Sequence, residues 1–158
     1  MRGWRSDGPV LTYDERLTAP VALWAGVWFG SFVLGVVVYA ALGPGPGLVA
    51  MLVPGLLLSF LLRSAAAPVQ VVGGDLVAGT ARIPVAMLGP VQVLDADAAR
   101  LVRGPESDPA AFHLIRGWVP AGIKAAVRDA SDPAPYWFVA SRHPDRLAAA
   151  VEAARRRK

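Results

Sequence analysis

The feature that most constrains this chain is a long stretch without a charged side chain. The 46 residues from Leu17 to Leu62 contain no Asp, Glu, Lys, Arg or His. About 20 apolar residues in helical form cross the core of a bilayer, so this stretch has room for two crossings and a turn. Backbone groups in lipid need partners inside the protein, and two segments are too few to close a barrel. Both crossings are therefore predicted to be helices.

Proline and glycine divide the stretch into two apolar limbs. The sequence predicts one helix over residues 20–42 and a second over 45–62, with Gly43-Pro44-Gly45-Pro46-Gly47 as a tight turn. Alternating Pro and Gly is a strong helix-breaking signal. The second limb is short and carries Pro54 near its middle. It is therefore either a kinked span or a re-entrant arm that dips into the membrane.

The charges that flank the apolar stretch predict its orientation. Arginines precede it and follow it, at Arg2, Arg5, Arg16 and Arg63, and the turn between the limbs has no charge. Cationic loops stay on the cytoplasmic side. We therefore expect a multi-pass protein of the plasma membrane with both termini in the cytoplasm, in which residues 17–63 form the transmembrane hairpin and 1–16 a cytoplasmic segment. A secretory signal peptide fits less well, because the first limb is longer than an h-region and begins late.

Residues 68–158 are numerous enough for one small cytoplasmic domain with its own core. Two β-rich stretches flank Gly73-Gly74, which predicts a hairpin with a two-residue turn. Further strands are predicted over residues 82–85, 91–94, 112–119, 121–129 and 136–141. Helices are predicted over 95–103 and 144–157.

This order of elements does not alternate strand with helix, as a doubly wound fold would. A bent antiparallel sheet closed by a C-terminal helix fits it, which is the plan of a pleckstrin-homology-like (PH-like) domain. The predicted fold class is therefore an α+β membrane protein. An N-terminal two-helix transmembrane hairpin precedes a small antiparallel β-sheet domain that ends in a helix.

The residue types that usually carry chemistry are sparse. The absence of cysteine excludes a disulfide framework, thiolate ligands and a Cys nucleophile. His113 and His143 are isolated from any carboxylate pattern, and Asp95 and Asp97 lack the further ligands of a calcium loop, so Asp95 is expected to cap a helix. We predict no catalytic residue, no metal and no cofactor, and expect that the protein is not an enzyme.

Two groups of residues are candidates for binding an anion. Ser141 and Arg142 directly precede the last predicted helix, where Ser141 either caps the helix or, with Arg142, contacts an anion or lipid headgroup. Arg155, Arg156, Arg157 and Lys158 form the clearest cationic cluster, and near an anionic leaflet each contributes up to about 1 kcal/mol. The alternative for this cluster is a solvated terminus.

The aromatic residues favour a structural role. Tyr136, Trp137 and Phe138, together with Trp118, are expected in the sheet core, with a ligand or partner patch as the alternative. A nucleic-acid partner is not predicted, because no nucleic-acid motif accompanies the basic residues and the aromatic ones fall in predicted strands.

Several motifs resemble an actinobacterial membrane family known as domain of unknown function 3093. They are Tyr13-Asp-Glu-Arg-Leu before the apolar stretch, Gly79-Thr-Ala-Arg-Ile-Pro-Val, Leu94-Asp-Ala-Asp-Ala and, above all, Pro135-Tyr-Trp joined to Ser141-Arg-His-Pro. The resemblance covers roughly Tyr13 to Val151. It implies an integral membrane protein with two helices and a small cytoplasmic domain, and it brings no reaction, cofactor or catalytic residue.

Three functional hypotheses follow. The first is a non-enzymatic module, in which the hairpin holds a PH-like domain at the inner leaflet for binding a partner protein or a lipid headgroup. The second is an accessory subunit of a membrane complex. Its first helix carries small residues that permit close packing of another helix, namely Gly26, Gly30 and Gly35. The third is an enzyme whose site has no recognisable motif.

Overall fold

The computed structural model describes residues 11–129 and 132–157, which form two compact units. One unit is a pair of helices within Thr18–Ala66. The other is a β-rich domain, built from residues 11–17 and from the described residues from Ala67 onward. The domain is thus discontinuous in sequence, because the helix pair is inserted into it. Arg2, Arg5 and Lys158, which entered the sequence predictions, lie outside the described residues.

The helix pair lies where the sequence predicts the two apolar limbs. Helix α1 spans Val21–Leu42 and helix α2 spans Pro44–Ser64. The predicted five-residue turn is reduced to Gly43, whose φ of 90° favours glycine. The prolines that follow fit into the first turn of α2, because the N–H groups they lack have no partner there in any helix. Pro54 lies inside α2.

Both helices are long and apolar enough to cross a membrane. Their mean hydropathies over the most apolar windows are 2.1 and 2.0, and only 11% of each window is buried. The core helix of a soluble protein is mostly buried, so these helices are not the core of this chain's own domain. By length and composition, both helices could span a membrane.

The described residues of the domain form two four-stranded sheets. The first is an antiparallel meander in the order β1-β2-β3-β4, which comprises Leu11–Arg16, Pro68–Val72, Asp75–Ala78 and Ala81–Pro84. The second has the order β5-β7-β8-β6, in which β5 is Leu88–Leu94, β6 Phe112–Leu114, β7 Gly122–Val127 and β8 Tyr136–Ala140. Its pairs are antiparallel except β6 with β8, which is parallel.

Two α-helices are present among the described residues of the domain, α3 over Ala96–Arg103 and α4 over Pro144–Arg156, and a short 3₁₀ helix at Val85–Met87 joins β4 to β5. Helix α4 contributes a buried face of Leu147, Ala150, Val151 and Ala154 to the core. The aromatic prediction is confirmed, since Tyr136, Trp137 and Phe138 are all buried and Trp118 packs against the same core. The α+β class, with mainly antiparallel sheets and a C-terminal helix, is therefore as the sequence predicts.

Local signals located most of the strands. Gly73 and Gly74 both have positive φ and join β2 to β3, which confirms the predicted hairpin. The stretch 112–119 was predicted to be extended throughout, but the strand ends at Leu114 and a turn follows, in which Val119 N–H donates to Arg116 O. Strand β1 was not predicted at all, because residues 11–16 were assigned to a separate cytoplasmic segment. Only its pairing with β2, more than 50 residues away, shows that it belongs to the domain.

The chain leaves the domain and returns to it at adjacent points. The N–H of Leu17, directly after β1, donates to the carbonyl of Ala67, directly before β2, at 2.9 Å. Leu17 itself has no exposed surface. The inserted segment therefore begins and ends at the same place on the domain.

Candidate functional site

A cluster of polar side chains lies between the first strand and the end of the last one. Tyr13 and Glu15 are two residues apart on β1 and therefore lie on the same face of it. Glu15 accepts three hydrogen bonds. Tyr13 Oη donates to Oε2 at 2.6 Å, Ser141 Oγ donates to Oε2 at 2.6 Å, and the N–H of Arg142 donates to Oε1 at 2.9 Å. The cluster thus holds the strand that precedes the helix pair against the junction between β8 and α4.

Ser141 has no exposed surface and is fully engaged in this cluster. Besides its bond to Glu15, its hydroxyl lies 3.2 Å from Tyr13 Oη and accepts the N–H of His143 at 3.0 Å. Helix α4 begins at Pro144, and no side-chain hydrogen bond caps it. The prediction that Ser141 caps this helix is therefore wrong. The Ser141 hydroxyl accepts the N–H of His143, which precedes the first residue of α4, and not an N–H of the helix itself. The hydrogen bond to Glu15 on β1 fixes the hydroxyl in this position.

Burial and hydrogen bonding together shift the pKa values of both titratable members of the cluster. Burial and the hydrogen bond to Glu15 raise the pKa of Tyr13 to about 12. Burial alone would raise the pKa of Glu15, but the hydrogen bonds from Ser141, Tyr13 and the N–H of Arg142 outweigh it. They hold the pKa of this carboxyl below its ordinary value of 4.5. Glu15 is thus an ionised acceptor at neutral pH, and Tyr13 a neutral donor.

The geometry of this cluster is that of a structural tie. The Ser141 hydroxyl is bonded to Glu15, and its contact with His143 comes from the backbone N–H of that residue. A nucleophilic serine needs its proton directed at a base that then accepts it, as in a Ser-His pair. The Ser141 hydroxyl already donates its hydrogen bond to the Glu15 carboxylate. Of the two residues predicted to contact a headgroup here, Arg142 is the exposed one. One Nη of Arg142 donates to Arg16 O at 3.3 Å.

The C-terminal arginines are divided between two environments. The side chain of Arg155 turns into the domain, where Nη1 pairs with Glu152 at 2.9 Å and Nη2 donates to the carbonyls of Leu88 and Gly89. This side chain therefore ties α4 to the beginning of β5. Arg156 and Arg157 are exposed. The predicted lipid contact of this cluster stays a prediction, and Arg156 and Arg157 are the described members that are accessible for it.

The carbonyls that Arg155 contacts lie at an irregularity of β5 for which the sequence carries a signal. The pairing of β5 with β7 shifts register between Leu88 and Val91, which marks a bulge. Gly89-Pro90 within a strand pattern is typical of such an irregularity. At the bulge, the carbonyls of Leu88 and Gly89 are not both used in the pairing with β7 and accept hydrogen bonds from the Arg155 guanidinium. A guanidinium carries five N–H donors and can therefore contact both carbonyls and Glu152 at once.

The candidate metal ligands have other roles. Asp95 Oδ1 accepts the N–H of Ala98 at 2.8 Å, which confirms the predicted cap of α3. His113 Nε2 lies 3.3 Å from Tyr136 Oη, and burial lowers the pKa of this histidine. Within residues 11–129 and 132–157 there is no group of three or more His, Asp or Glu side chains placed to hold a metal ion.

Glycine determines how closely α1 and α2 pack. A Cβ on Gly47 would lie 2.6 Å from Tyr39 Cβ, and one on Gly35 would lie 2.7 Å from Met51 Cβ. Such distances are shorter than any real carbon contact, so the two backbones approach as only glycine permits. Gly26 and Gly30 have nothing within 4 Å of an added Cβ. Of Gly26, Gly30 and Gly35 on α1, Gly35 alone lies in this contact.

The two helices carry their polar anchors at one end. The guanidinium of Arg63, in the last turn of α2, lies 5.7 Å from the ring centroid of Trp24, in the first turn of α1. This is a distance at which a cation is attracted to an aromatic face. The opposite end, around Leu42 and Gly43, has no charged residue.

Comparison with known proteins places the chain in a family. A family model matches residues 12–151, which is most of the chain. The matched range includes β1 from its second residue, both apolar helices and the domain up to Val151. No curated protein and no solved structure matches the chain. The match spans both halves of the cluster around Glu15, as well as the helix pair inserted between them. The chain therefore belongs to the family described as "Protein of unknown function (DUF3093)".

Proposed function

We propose that this protein is a two-span membrane protein of the plasma membrane with both termini in the cytoplasm. Its helix pair holds a PH-like domain at the inner leaflet, where the domain binds a partner protein or an anionic lipid headgroup without catalysis. The observation that carries the proposal is the apolar surface of the helix pair. Large side chains such as Phe29, Leu42 and Phe60 are about 70% exposed. Each square ångström of such surface costs about 25 cal/mol in water, and lipid removes that cost.

The ends of the inserted segment support two crossings that return to the same side. The bond between Leu17 N–H and the Ala67 carbonyl brings both ends of the insertion together on the domain. Trp24 and Arg63 likewise share one end of the helix pair. Trp is enriched at membrane interfaces, and Arg stays on the cytoplasmic side. An uncharged far end and a cationic, aromatic near end are what a hairpin inserted from the cytoplasm requires.

The arrangement of strands supports the PH-like assignment. A four-stranded antiparallel meander precedes a second sheet, and a C-terminal helix closes the core. The short strand β6, parallel to β8 at the edge of the second sheet, is an addition to that plan.

Exposed cations on α4 support the lipid version of this binding. Arg146 and Arg157 are both exposed and eleven positions apart. Arg157 directly follows the last residue of α4 and its backbone is still in the right-handed helical region. Since three turns of an α-helix take about 10.8 residues, Arg146 and Arg157 lie on the same side of the helix axis. Arg156 adds a further exposed charge beside them. Near an anionic leaflet each would contribute up to about 1 kcal/mol.

Site-directed labelling tests the proposed topology, because the chain has no cysteine of its own. Gly45 lies near the end of the helix pair and has nothing within 4 Å of an added Cβ. We expect Gly45→Cys to react with a membrane-impermeant maleimide added to intact cells. Arg156→Cys, at the exposed end of α4, is expected to react only after the membrane is permeabilised.

Extraction of membranes with alkaline carbonate provides the accompanying measurement. The full-length protein is expected to stay in the pellet and to dissolve only in detergent. Release into the carbonate supernatant would contradict membrane insertion. Labelling of Arg156→Cys in intact cells would contradict the cytoplasmic C-terminus, and protection of Gly45→Cys there would contradict two full crossings.

A second candidate function is that of an accessory subunit within a membrane complex. The observation that favours it is the open space around Gly26 and Gly30, which are four residues apart on α1. A pair of glycines at this spacing permits close approach of another membrane helix. We expect Gly26→Leu with Gly30→Leu to abolish cross-links that the wild-type chain forms in native membranes. Ala25→Leu with Phe29→Leu is the control pair. A wild-type chain without cross-linked species would eliminate this candidate.

A further inference from the structure

The outer face of the second sheet carries a pocket of about 260 Å³. Its lining comes from β5, from β7 and from the start of β8, and comprises Pro90, Gln92, Lys124, Ala126, Pro135 and Tyr136. Gln92 is the cross-strand partner of Lys124, and Ala126 is the partner of Tyr136. Residues that face each other across a pair, or stand two apart on one strand, share a face of the sheet. These side chains are therefore set together by the register of the sheet.

Lys124 is the charged group of this pocket. Its Nζ lies 4.2 Å from the centroid of the Tyr136 ring, within the range of a cation–π contact. Within the part of the chain that the structure describes, the side chain of Lys124 makes no hydrogen bond and no ion pair with a carboxylate. An ammonium has three N–H donors, and contact with a ring face satisfies none of them fully. The cation is thus held in place with its donors available.

Tyr136 is a fixed platform for that cation. Its residue is buried, and its hydroxyl accepts the N–H of Asp108 at 3.1 Å and lies 3.3 Å from His113 Nε2. These partners hold the hydroxyl in place, so the ring is fixed with its face toward Lys124. The two prolines and Ala126 make the rest of the wall apolar.

These features define the chemistry of a ligand. One fixed ammonium with the amide of Gln92 beside it suits a compact anion approached as a point charge, and lysine is a common binder of phosphate in this way. Apolar and aromatic walls suit a small hydrophobic body attached to that anion. Pockets for drug-sized ligands run from about 300 to 1,000 Å³, so a pocket slightly below this range takes a smaller molecule.

We propose that the Lys124 pocket binds a phosphate monoester with a small apolar body. The phosphate lies against Lys124 and Gln92, and the apolar body lies against Tyr136. This site is separate from the exposed arginines of α4, and it does not depend on whether the helix pair crosses a membrane. A soluble ester and the headgroup of phosphatidic acid share this chemistry.

Titration of the full-length, ¹⁵N-labelled chain in uncharged detergent micelles tests the proposal, with phenyl phosphate as the probe. We expect saturable shifts of the backbone amides of Lys124 and Ala126. Inorganic phosphate is expected to bind more weakly, and benzyl alcohol to cause no comparable shift. Lys124→Gln should weaken the binding of phenyl phosphate about tenfold, the loss typical of one charge-assisted hydrogen bond. Lys124→Arg should restore part of it.

Arg100→Gln is the matched control, because it removes one exposed positive charge from α3, outside the pocket. It should leave the affinity unchanged. The proposal is overturned if the wild-type chain shows no saturable binding, or if Lys124→Gln binds as well as the wild type. It is also overturned if Arg100→Gln loses as much affinity. Nanodiscs with phosphatidic acid then identify the source, since displacement of phenyl phosphate by these and not by neutral nanodiscs indicates a lipid headgroup. If phenyl phosphate stays bound in the presence of nanodiscs with phosphatidic acid, the ligand is a soluble ester.

Discussion

Glu15→Ala is expected to destabilise the attachment of β1 to the domain by about 2–4 kcal/mol. Glu15 accepts hydrogen bonds from Tyr13, from the buried hydroxyl of Ser141 and from the N–H of Arg142. Removal of the carboxylate leaves these donors without their charged acceptor, and Ser141 has no exposed surface through which water can replace it. A whole domain is stable by only about 5–15 kcal/mol, so this loss is large.

Hydrogen exchange of the full-length chain in detergent micelles measures the effect. The amides of residues 11–16 should exchange roughly 30-fold faster or more in Glu15→Ala than in the wild type. Asp14→Ala is the matched control, because Asp14 is the adjacent acid and its hydrogen bond to Gln70, at 2.9 Å, is exposed. It should change stability by no more than about 0.5 kcal/mol. Equal effects of the two variants would show that the hydrogen bonds of Glu15 do not hold β1 against the domain.

The same cluster makes the stability of this attachment depend on pH. Because the folded pKa of Glu15 lies below its ordinary value of 4.5, its contribution is present above that value and is lost as the pH falls through the folded pKa. The pKa of Tyr13 is raised from 10.0 to about 12, so its contribution is present below pH 10.0 and is lost as the pH rises through about 12. The acid-side loss of protection at residues 11–16 should be reduced in Glu15→Gln, which does not titrate.

Gly47→Ala is expected to destabilise the helix pair by about 1–3 kcal/mol, the cost of inserting a methyl group into a filled contact. The new Cβ would lie 2.6 Å from Tyr39 Cβ and 2.8 Å from Tyr39 Cα. The second of these atoms belongs to the backbone, so a change of rotamer cannot relieve the overlap and the helices must move apart. The measurement is unfolding of the full-length chain by SDS from a mild detergent, followed by circular dichroism.

Gly30→Ala makes the same chemical change on α1, where nothing lies within 4 Å of an added Cβ. It should leave the unfolding midpoint unchanged or raise it slightly, since Ala favours a helix more than Gly does. If both variants unfold at the same SDS concentration as the wild type, α1 and α2 do not pack through Gly47 in the way described.

Elements that depend on neighbouring residues could be predicted well. The hairpin at Gly73-Gly74, the cap at Asp95 and both apolar helices follow from residues within a few positions of one another. Strand β1 could not be found in this way, since its charged residues give no apolar alternation and its partner β2 comes after the helix pair. The capping role predicted for Ser141 failed for the same reason. A carboxylate 126 positions away determines where its hydroxyl points.

Among the candidate binding residues, the sequence showed charge but not accessibility. Arg155 and Arg156 are adjacent and chemically identical, and the rotation of α4 turns the first toward the bulge of β5 and leaves the second exposed. Lys124 was no candidate at all, because a single lysine in an alternating strand is typical of a solvated face. Its position over Tyr136 arises from the pairing of β7 with β8.

The sequence by itself determined that two long apolar helices occur before a strand-rich domain, because hydropathy and helix-breaking residues act along the chain. Only the tertiary structure decided that the domain begins before the helices, and that Glu15, Ser141 and Arg142 form one cluster. The first feature joins residues more than 50 positions apart and the second joins residues more than 120 apart. The energies of both come from burial and hydrogen bonds that exist only once the sheets have paired.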